Sequence, residues 1–210
     1  MRKILIIVIG LFIFISNSAY SQHSEGMQVY PERAEDISPL LIGERIPAMI
    51  LTDAAGKSVQ MEKLFSEKPT ILIFYRGGWC PYCNQQLSGL QEIEKQIIGL
   101  GYQIIAVSTD KPENLKASIE KGNLTYRLLS DADLALSKAM GIVFKAPTVY
   151  HKLLPVTTGG KNSDMLLPVP SVFILNKKGE IRFEFIEPDF KERMSSELLM
   201  AVAGVIFITL

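Results

Sequence analysis

The sequence predicts an α/β fold with a central, mostly parallel sheet flanked by helices. Three observations lead to it. Residues 70–75 and 103–107 are apolar without alternation, the pattern of strands covered on both faces. Between them Leu87, Leu90, Ile93, Ile97 and Ile98 recur at helical spacing. Strand and helix signals then keep alternating to Gly141, as parallel strands joined by helices require.

The elements follow in order. Residues 49–52 form a short strand, and 53–57 (Asp53 to Lys57) a turn. Residues 59–65 return with a short helix near Met61. The strand 70–75 is broken by Arg76, Gly77 and Gly78, and the following helix is closed by Gly99 and Gly101. After the strand 103–107, Asp110 caps a helix with Pro112 in its first turn and Leu115 and Ile119 on one face. A strand at 125–128 leads through Asp131 to a helix with Leu134, Leu136 and Met140. Residues 149–168 are less regular; 157–164 carry no core-forming residue and read as a surface loop or hairpin. Residues 171–175 and 181–186 flank the turn Asn176-Lys177-Lys178-Gly179 as a β-hairpin. Residues 188–197 begin the last helix, and the uncharged stretch 198–210 packs on the sheet or forms an apolar tail for a membrane or partner. No internal repeat or second domain is visible.

The chain has 210 residues and a formal charge of zero. It opens with Arg2 and Lys3, runs apolar over 4–15, and leaves through small polar residues at 16–21, with Ala19 and Ser21 at the two small-residue sites of a cut after Ser21. Residues 1–21 are therefore expected to be a signal peptide, or an uncleaved anchor, with export to the periplasm or cell envelope. Residues 22–40 are a polar, flexible lead-in, and 41–210 the one domain. No basic block offers phosphate contacts, which excludes nucleic acid as a partner. Membrane contact is expected only through the signal or the C-terminal tail.

The chain has two cysteines, Cys80 and Cys83, in the run Trp79-Cys80-Pro81-Tyr82-Cys83. A bridge across two residues closes too short a loop to stabilise much through chain entropy. Zinc usually takes four ligands, and only His23 and His151 could add to the pair. No metal and no cofactor is expected. A redox-active pair is the reading left, with a structural disulfide as its bland counterpart. The strand–glycine–helix pattern puts Cys80 at a helix start, where free amides and the helix dipole favour a thiolate. Cys83 lies one turn inward on the same face, so a disulfide can open and close with little backbone movement. Pro81 fits the first helical turn. Trp79 either shields the thiol or fills a rim. Arg76 either steers an anion and stabilises a thiolate, or is solvated. Asp110 is a proton carrier in the sharper reading and a helix cap in the plain one.

The run from Ile71 to Asn84, with Arg76-Gly77-Gly78-Trp79-Cys80-Pro81-Tyr82-Cys83 at its centre, resembles the redoxin family. That family is the peroxiredoxin-like branch (alkyl hydroperoxide reductase and thiol-specific antioxidant) of the thioredoxin superfamily. Ile42 to Pro47, Ala106 to Asp110, Leu129 to Asp131, Met140 to Ile142 and Val169 to Leu175 with Gly179 are similar to its other motifs, so that the likeness spans 41–193. It implies a thioredoxin-like fold with peroxiredoxin-type additions and an antioxidant oxidoreductase.

Two site readings follow from the resemblance. In a thioredoxin-like enzyme Cys80 attacks, Cys83 resolves, and Pro170 is the cis proline beside the dithiol. In a peroxiredoxin, the pattern of proline, threonine and peroxidatic cysteine falls on Arg76, Cys80 and Cys83, so that the first two are replaced, and the late arginine position falls near Pro170, where this chain has none. Cys83 would then attack a hydroperoxide and Cys80 resolve the sulfenate. The expected function is an exported dithiol–disulfide oxidoreductase acting on protein thiols or disulfides, with hydroperoxide reduction as the alternative and a redox-inactive binding module as a third reading. Either redox cycle needs an external thiol reductant, such as a thioredoxin-like protein or a membrane thiol reductase.

Overall fold

The computed structural model describes residues 29–207. The expected signal segment, 1–21, lies outside them. Strands β1 (Ile50–Asp53) and β2 (Ser58–Gln60) form a hairpin, followed by α1 (Met61–Glu67). Next come β3 (Thr70–Tyr75), α2 (Pro81–Gly99), β4 (Gln103–Ser108), α3 (Pro112–Gly122) and β5 (Arg127–Ser130). Helix α4 (Ala135–Ala139), β6 (Val143–Lys145), the short α5 (Leu154–Thr157) and β7 (Leu166–Pro168) precede the hairpin of β8 (Ser171–Leu175) and β9 (Ile181–Ile186). Helix α6 (Ser196–Ile206) is the last described helix.

The main sheet runs β2-β1-β5-β4-β3-β8-β9. Its centre, β3–β4–β5, is parallel, joined by α2 and α3 as crossovers. Antiparallel pairing extends it on both sides, through β8 against β3 and β1 against β5, so the sheet is mixed. This is a thioredoxin-like α/β architecture.

The pleat of β3 explains the two layers. Ile71, Ile73 and Tyr75 point to one face, where they meet Leu87, Leu90 and Ile97 of α2, Leu115 of α3 and Leu199 and Ala203 of α6. Leu72 and Phe74 point to the other, against Met61, Leu64 and Phe65 of α1, Leu136 of α4 and Met140 at its C-terminal end. Every residue of β3 is buried, which is why the run shows no alternation. Each such side chain contributes about 1.5–3 kcal/mol of transfer free energy. Cys80 and Cys83 belong to the α2 face.

Several local expectations are corrected. Asp110 does not cap α3: the N-cap is Lys111, without a side-chain hydrogen bond. Asp131 serves α4 in that way, accepting from the backbone N–H of Leu136 and Ser137 at 2.9 and 2.8 Å. Residues 157–164 are not wholly surface: Thr157, Thr158 and Asn162 are buried, and Asn162 bonds Leu166 in both directions. Polar residues fill a core position here because their bonding partners come with them. The last helix starts later than 188, at Ser196, because Ser195 caps it by accepting from Leu198 N–H. Ile98, placed on the apolar stripe of α2, is 49% exposed. Read as a flexible lead-in, the stretch before residue 41 is instead bound to the domain where it is described. Lys145 N–H donates to Pro31 O and Leu40 N–H to Met140 O.

Candidate active site

The site is built on the turn between β3 and α2. Pro81 occupies the first helical turn and Cys80 is the N-cap. Three ties hold the turn. Cys80 N–H donates to Gly77 O at 3.1 Å. Asn84 Nδ2 donates to Gly78 O at 2.9 Å. Gly78 N–H donates to Asp110 Oδ2 at 2.6 Å, so Asp110 anchors the turn from the end of β4. Gly77 has φ +147°, and a Cβ there would lie 2.3 Å from Trp79 Nε1. Glycine is required for both reasons.

Both sulfurs are buried and unbonded to each other. The Cys83 thiol, as hydrogen-bond partner, is the main cause that pushes Cys80 down to about 6; the Cys83 amide, Arg76 and Arg193 add to it against burial. Cys83 moves the other way: burial raises it well above the usual thiol range, and the hydrogen bond and charge of Cys80 raise it further. The two shifts favour the charge on Cys80 and the proton on Cys83.

Arg76 is 3% exposed and lies in an aromatic box. Its guanidinium carbon is 4.3 Å from the ring centre of Phe190, 4.5 Å from Tyr150 and 5.1 Å from Trp79. It forms no ion pair among the described residues, and its Nε has no hydrogen-bond partner. Its charge is among the lesser causes that lower Cys80, after the hydrogen bonds of Cys83. Trp79 stacks on Tyr150 at 5.3 Å, so its ring is a wall of the box as well as a rim residue. Burial raises Asp110 to about 6.

Cys80, Cys83, Trp79 and Arg76 are thus brought together. Pro170 is corrected in one respect. None of the described peptide bonds is cis, so Pro170 is not a cis proline. Val169 N–H donates to Ile142 O and Pro170 O accepts from Glu187 N–H, which holds the chain extended from β7 into β8. Pro170 precedes Ser171, which pairs with Phe74, and so stands at the end of the sheet that carries the cysteines. His151 bonds Ala146 O instead of the pair. Among the described residues no cluster of His, Cys, Asp or Glu is placed to hold a metal ion.

Three residues at the site escaped the sequence reading. Tyr150 and Phe190 wall the Arg76 box, and Arg193 Nη2 donates to Cys83 Sγ at 3.7 Å. Each comes from an irregular stretch far along the chain, where no periodicity or motif signals a partner.

The family model described as AhpC/TSA matches residues 42–184. The chain belongs to the AhpC/TSA family, and with it to the peroxiredoxins, thiol-dependent oxidoreductases of the thioredoxin superfamily. Peroxiredoxin Bcp of Escherichia coli is 31% identical over 106 residues, which are 50% of this chain and 67% of that protein. The chloroplastic peroxiredoxin Q of Suaeda salsa is 31% identical over 139 residues, 61% of this chain and 64% of that protein. Among solved structures, reduced Prx3 of Vibrio vulnificus in complex with H2O2 superposes with a TM-score of 0.66 at 20% identity, over 78% of this chain and 99% of that one. Peroxidoxin BcpB of Mycobacterium tuberculosis gives 0.64 at 17% identity, over 80% and 97%. These likenesses carry the fold. Phe190 and Arg193 lie beyond the end of the family match.

Proposed function

We propose that the chain is a thiol peroxidase that reduces hydroperoxides and closes a Cys80–Cys83 disulfide in each turnover. The observation that carries this is the burial of a charge-bearing sulfur: Cys80 is 1% exposed, and Cys83 behind it is inaccessible. A small hydroperoxide head group fits that setting better than the in-line approach of a protein disulfide, which the dithiol-exchange reading needs. Membership of the AhpC/TSA family, and relatives called peroxiredoxins, support the same choice.

The geometry favours Cys80 as the attacking sulfur. Its thiolate takes the distal oxygen of the hydroperoxide, the O–O bond breaks, and Cys80 becomes a sulfenic acid. The departing alkoxide or hydroxide needs a proton, and the Cys83 thiol on the Cys80 sulfur supplies it. The resulting Cys83 thiolate attacks the sulfenic sulfur, forms the disulfide and releases hydroxide. Two electrons have passed from the dithiol to the peroxide. An external thiol reductant, such as a thioredoxin-like protein, returns them.

A second reading reverses the two sulfurs. The resemblance to peroxiredoxins implies a peroxidatic position at Cys83, and Arg193 donates to that sulfur. Cys80→Ser and Cys83→Ser, each mixed with hydrogen peroxide and a sulfenate trap, separate the two. We expect Cys83→Ser to form a trapped sulfenate on Cys80, and Cys80→Ser to form none. A sulfenate on Cys83 in Cys80→Ser reverses the order. If the unaltered protein reduces protein disulfides fast and peroxide no faster than free thiol, the peroxidase reading falls.

Export is a separate proposal, resting on the basic, apolar and small-residue succession of residues 1–21. A mature N-terminus at residue 22 in a cell-envelope fraction is the expected result; an intact Met1 in the cytoplasm counts against it.

A further inference from the structure

Arg193 ends the connection between β9 and α6. Its Nη1 donates to Glu192 O at 2.7 Å, its Nη2 donates to Cys83 Sγ at 3.7 Å, and its Nε has no partner. No carboxylate pairs with it among the described residues. Its position is set from α6. Met194 beside it is buried, Ser195 caps the helix, and Leu199 and Ala203 enter the core. Tyr102 O–H, donating to Ala203 O at 2.9 Å, ties α6 to the start of β4. Arg193 is half-buried and also lines a groove of about 510 Å³ with Tyr82, Gln86 and Ser196.

The two arginines serve the two sulfurs unequally: both favour the Cys80 charge, and only Arg193 acts on Cys83 through its side chain. Arg76, in its box, comes from the β3–α2 turn that carries Cys80, and it acts on the Cys80 charge. Arg193 comes from outside the family match and reaches Cys83. The titratable and charged groups against Cys83 are Cys80 from the start of α2, Tyr75 from β3 and Arg193 from the last connection, with Arg76 contributing its backbone. Among these side chains Arg193 is the cation.

We propose that Arg193 is a positioning residue for disulfide closure: it stabilises the Cys83 sulfur as a thiolate once its proton has left, and so governs the second step more than the first. This rests on the order of events given above. When Cys83 gives its proton to the departing oxygen, a negative charge appears on a wholly buried sulfur. Uncompensated, that charge is strongly disfavoured, and the proton would return. The guanidinium already in contact offsets it without reorganisation. The Cys83 thiolate then has time to reach the sulfenic acid on Cys80, and the hydroxide released leaves toward the open side.

The test uses the full chain and the single tryptophan, Trp79, as a reporter of closure. In one peroxide turnover at pH 8, where Cys80 stays ionised even without the Arg193 charge, Arg193→Met is expected to form the Cys80 sulfenate at close to the normal rate and to close the disulfide about threefold to tenfold more slowly. More sulfenate is then trapped. Arg193→Lys restores most of the closure rate. Arg193→Gln replaces Arg193→Met if the latter does not fold. Lys191→Met, exposed on the same connection, is the unaffected control.

A second readout separates this proposal from the order of attack. In a Cys80→Ser background, the pH midpoint for alkylation of Cys83 should rise by about one unit when Arg193→Met is added. An unchanged midpoint overturns the role of Arg193, whichever sulfur attacks. A slower closure that Arg193→Lys does not relieve overturns it as well, since packing alone would explain the loss. A sulfenate on Cys83 in Cys80→Ser removes the order of attack; the midpoint then still reads the Arg193 contact.

Discussion

The site is made of two unlike regions. One is the frame: β3, the glycine turn and the start of α2, continuous in sequence and tied down by Asp110, Asn84 and the helix cap. The other is a clasp assembled from distant, irregular chain: Tyr150, Phe190 and Arg193. The frame places the two sulfurs and gives Cys80 its helix N-terminus. The clasp supplies no reacting atom; it walls the Arg76 cation and touches the second sulfur. The family match covers the frame and Tyr150 and ends at residue 184, before Phe190 and Arg193. The frame therefore holds the reacting sulfurs, while the clasp places charge and rings around them.

The comparison is sharpest where the frame itself is cut. Cys80→Ser should slow peroxide consumption about 10³-fold or more, because no other sulfur in the frame bears the charge. Stopped-flow measurement of peroxide loss reads it directly. Next comes the turn. Gly77→Ala puts a Cβ on Trp79 at a backbone angle that side chains rarely adopt. It should cost about 2 kcal/mol of stability, visible in urea unfolding, and disturb the fluorescence of Trp79. Unchanged stability would mean that the turn is looser than its hydrogen bonds imply.

The same division explains what could be read from the sequence. The strand 70–75, the helix after it and the cysteine pair were legible because their signals are local: an apolar run, a glycine break, a 3.6-residue period. Asp110 was legible as a polar residue after a strand, but not its partner, because Gly78 is brought to it by the pairing of β3 and β4. Its lack of a cap role follows from the same contact. Asn162 looked like loop because a polar residue buried with its partners leaves no apolar trace. Tyr150, Phe190 and Arg193 were invisible for a further reason. They meet Arg76 and Cys83 only through the tertiary fold, and no spacing rule joins residues so far apart.

Arg76 is where frame and clasp meet, and it gives a graded test. Cys80 is held near pH 6, so its alkylation should rise with pH through about 6 and level off above. Removing the cation in Arg76→Met takes away part of what favours the thiolate. The midpoint should therefore move up, by about one unit. At pH 6 the thiolate falls from about half to about a tenth of the molecules, whereas at pH 8 it changes little. The loss is thus seen on the acid side. The folded protein should not suffer in proportion, because methionine fills an apolar box without burying an unpaired charge. Arg76→Lys should keep the charge but lose the flat stacking on three rings. If Arg76→Met leaves the midpoint in place, the box is a packing feature and the frame alone sets the acidity of Cys80.

Phe190→Leu should give the smallest effect, and it probes the clasp by itself. Leucine keeps apolar cover over Arg76 but removes the ring that lies 4.3 Å from the guanidinium carbon, together with the edge contact to Tyr82 at 5.7 Å. A cation–ring contact is worth about 0.5–1 kcal/mol at exposed sites and about 2 kcal/mol when desolvated, and Arg76 is buried. Losing one of three frees the guanidinium to turn toward water, where its field at Cys80 is screened. The Cys80 midpoint should then rise in the same direction as in Arg76→Met, by a few tenths of a pH unit. Peroxide consumption at pH 8 should be unaffected. A shift as large as that of Arg76→Met would mean that the ring holds Arg76 in place almost alone. The clasp would then be as much a part of the site as the turn that carries the cysteines.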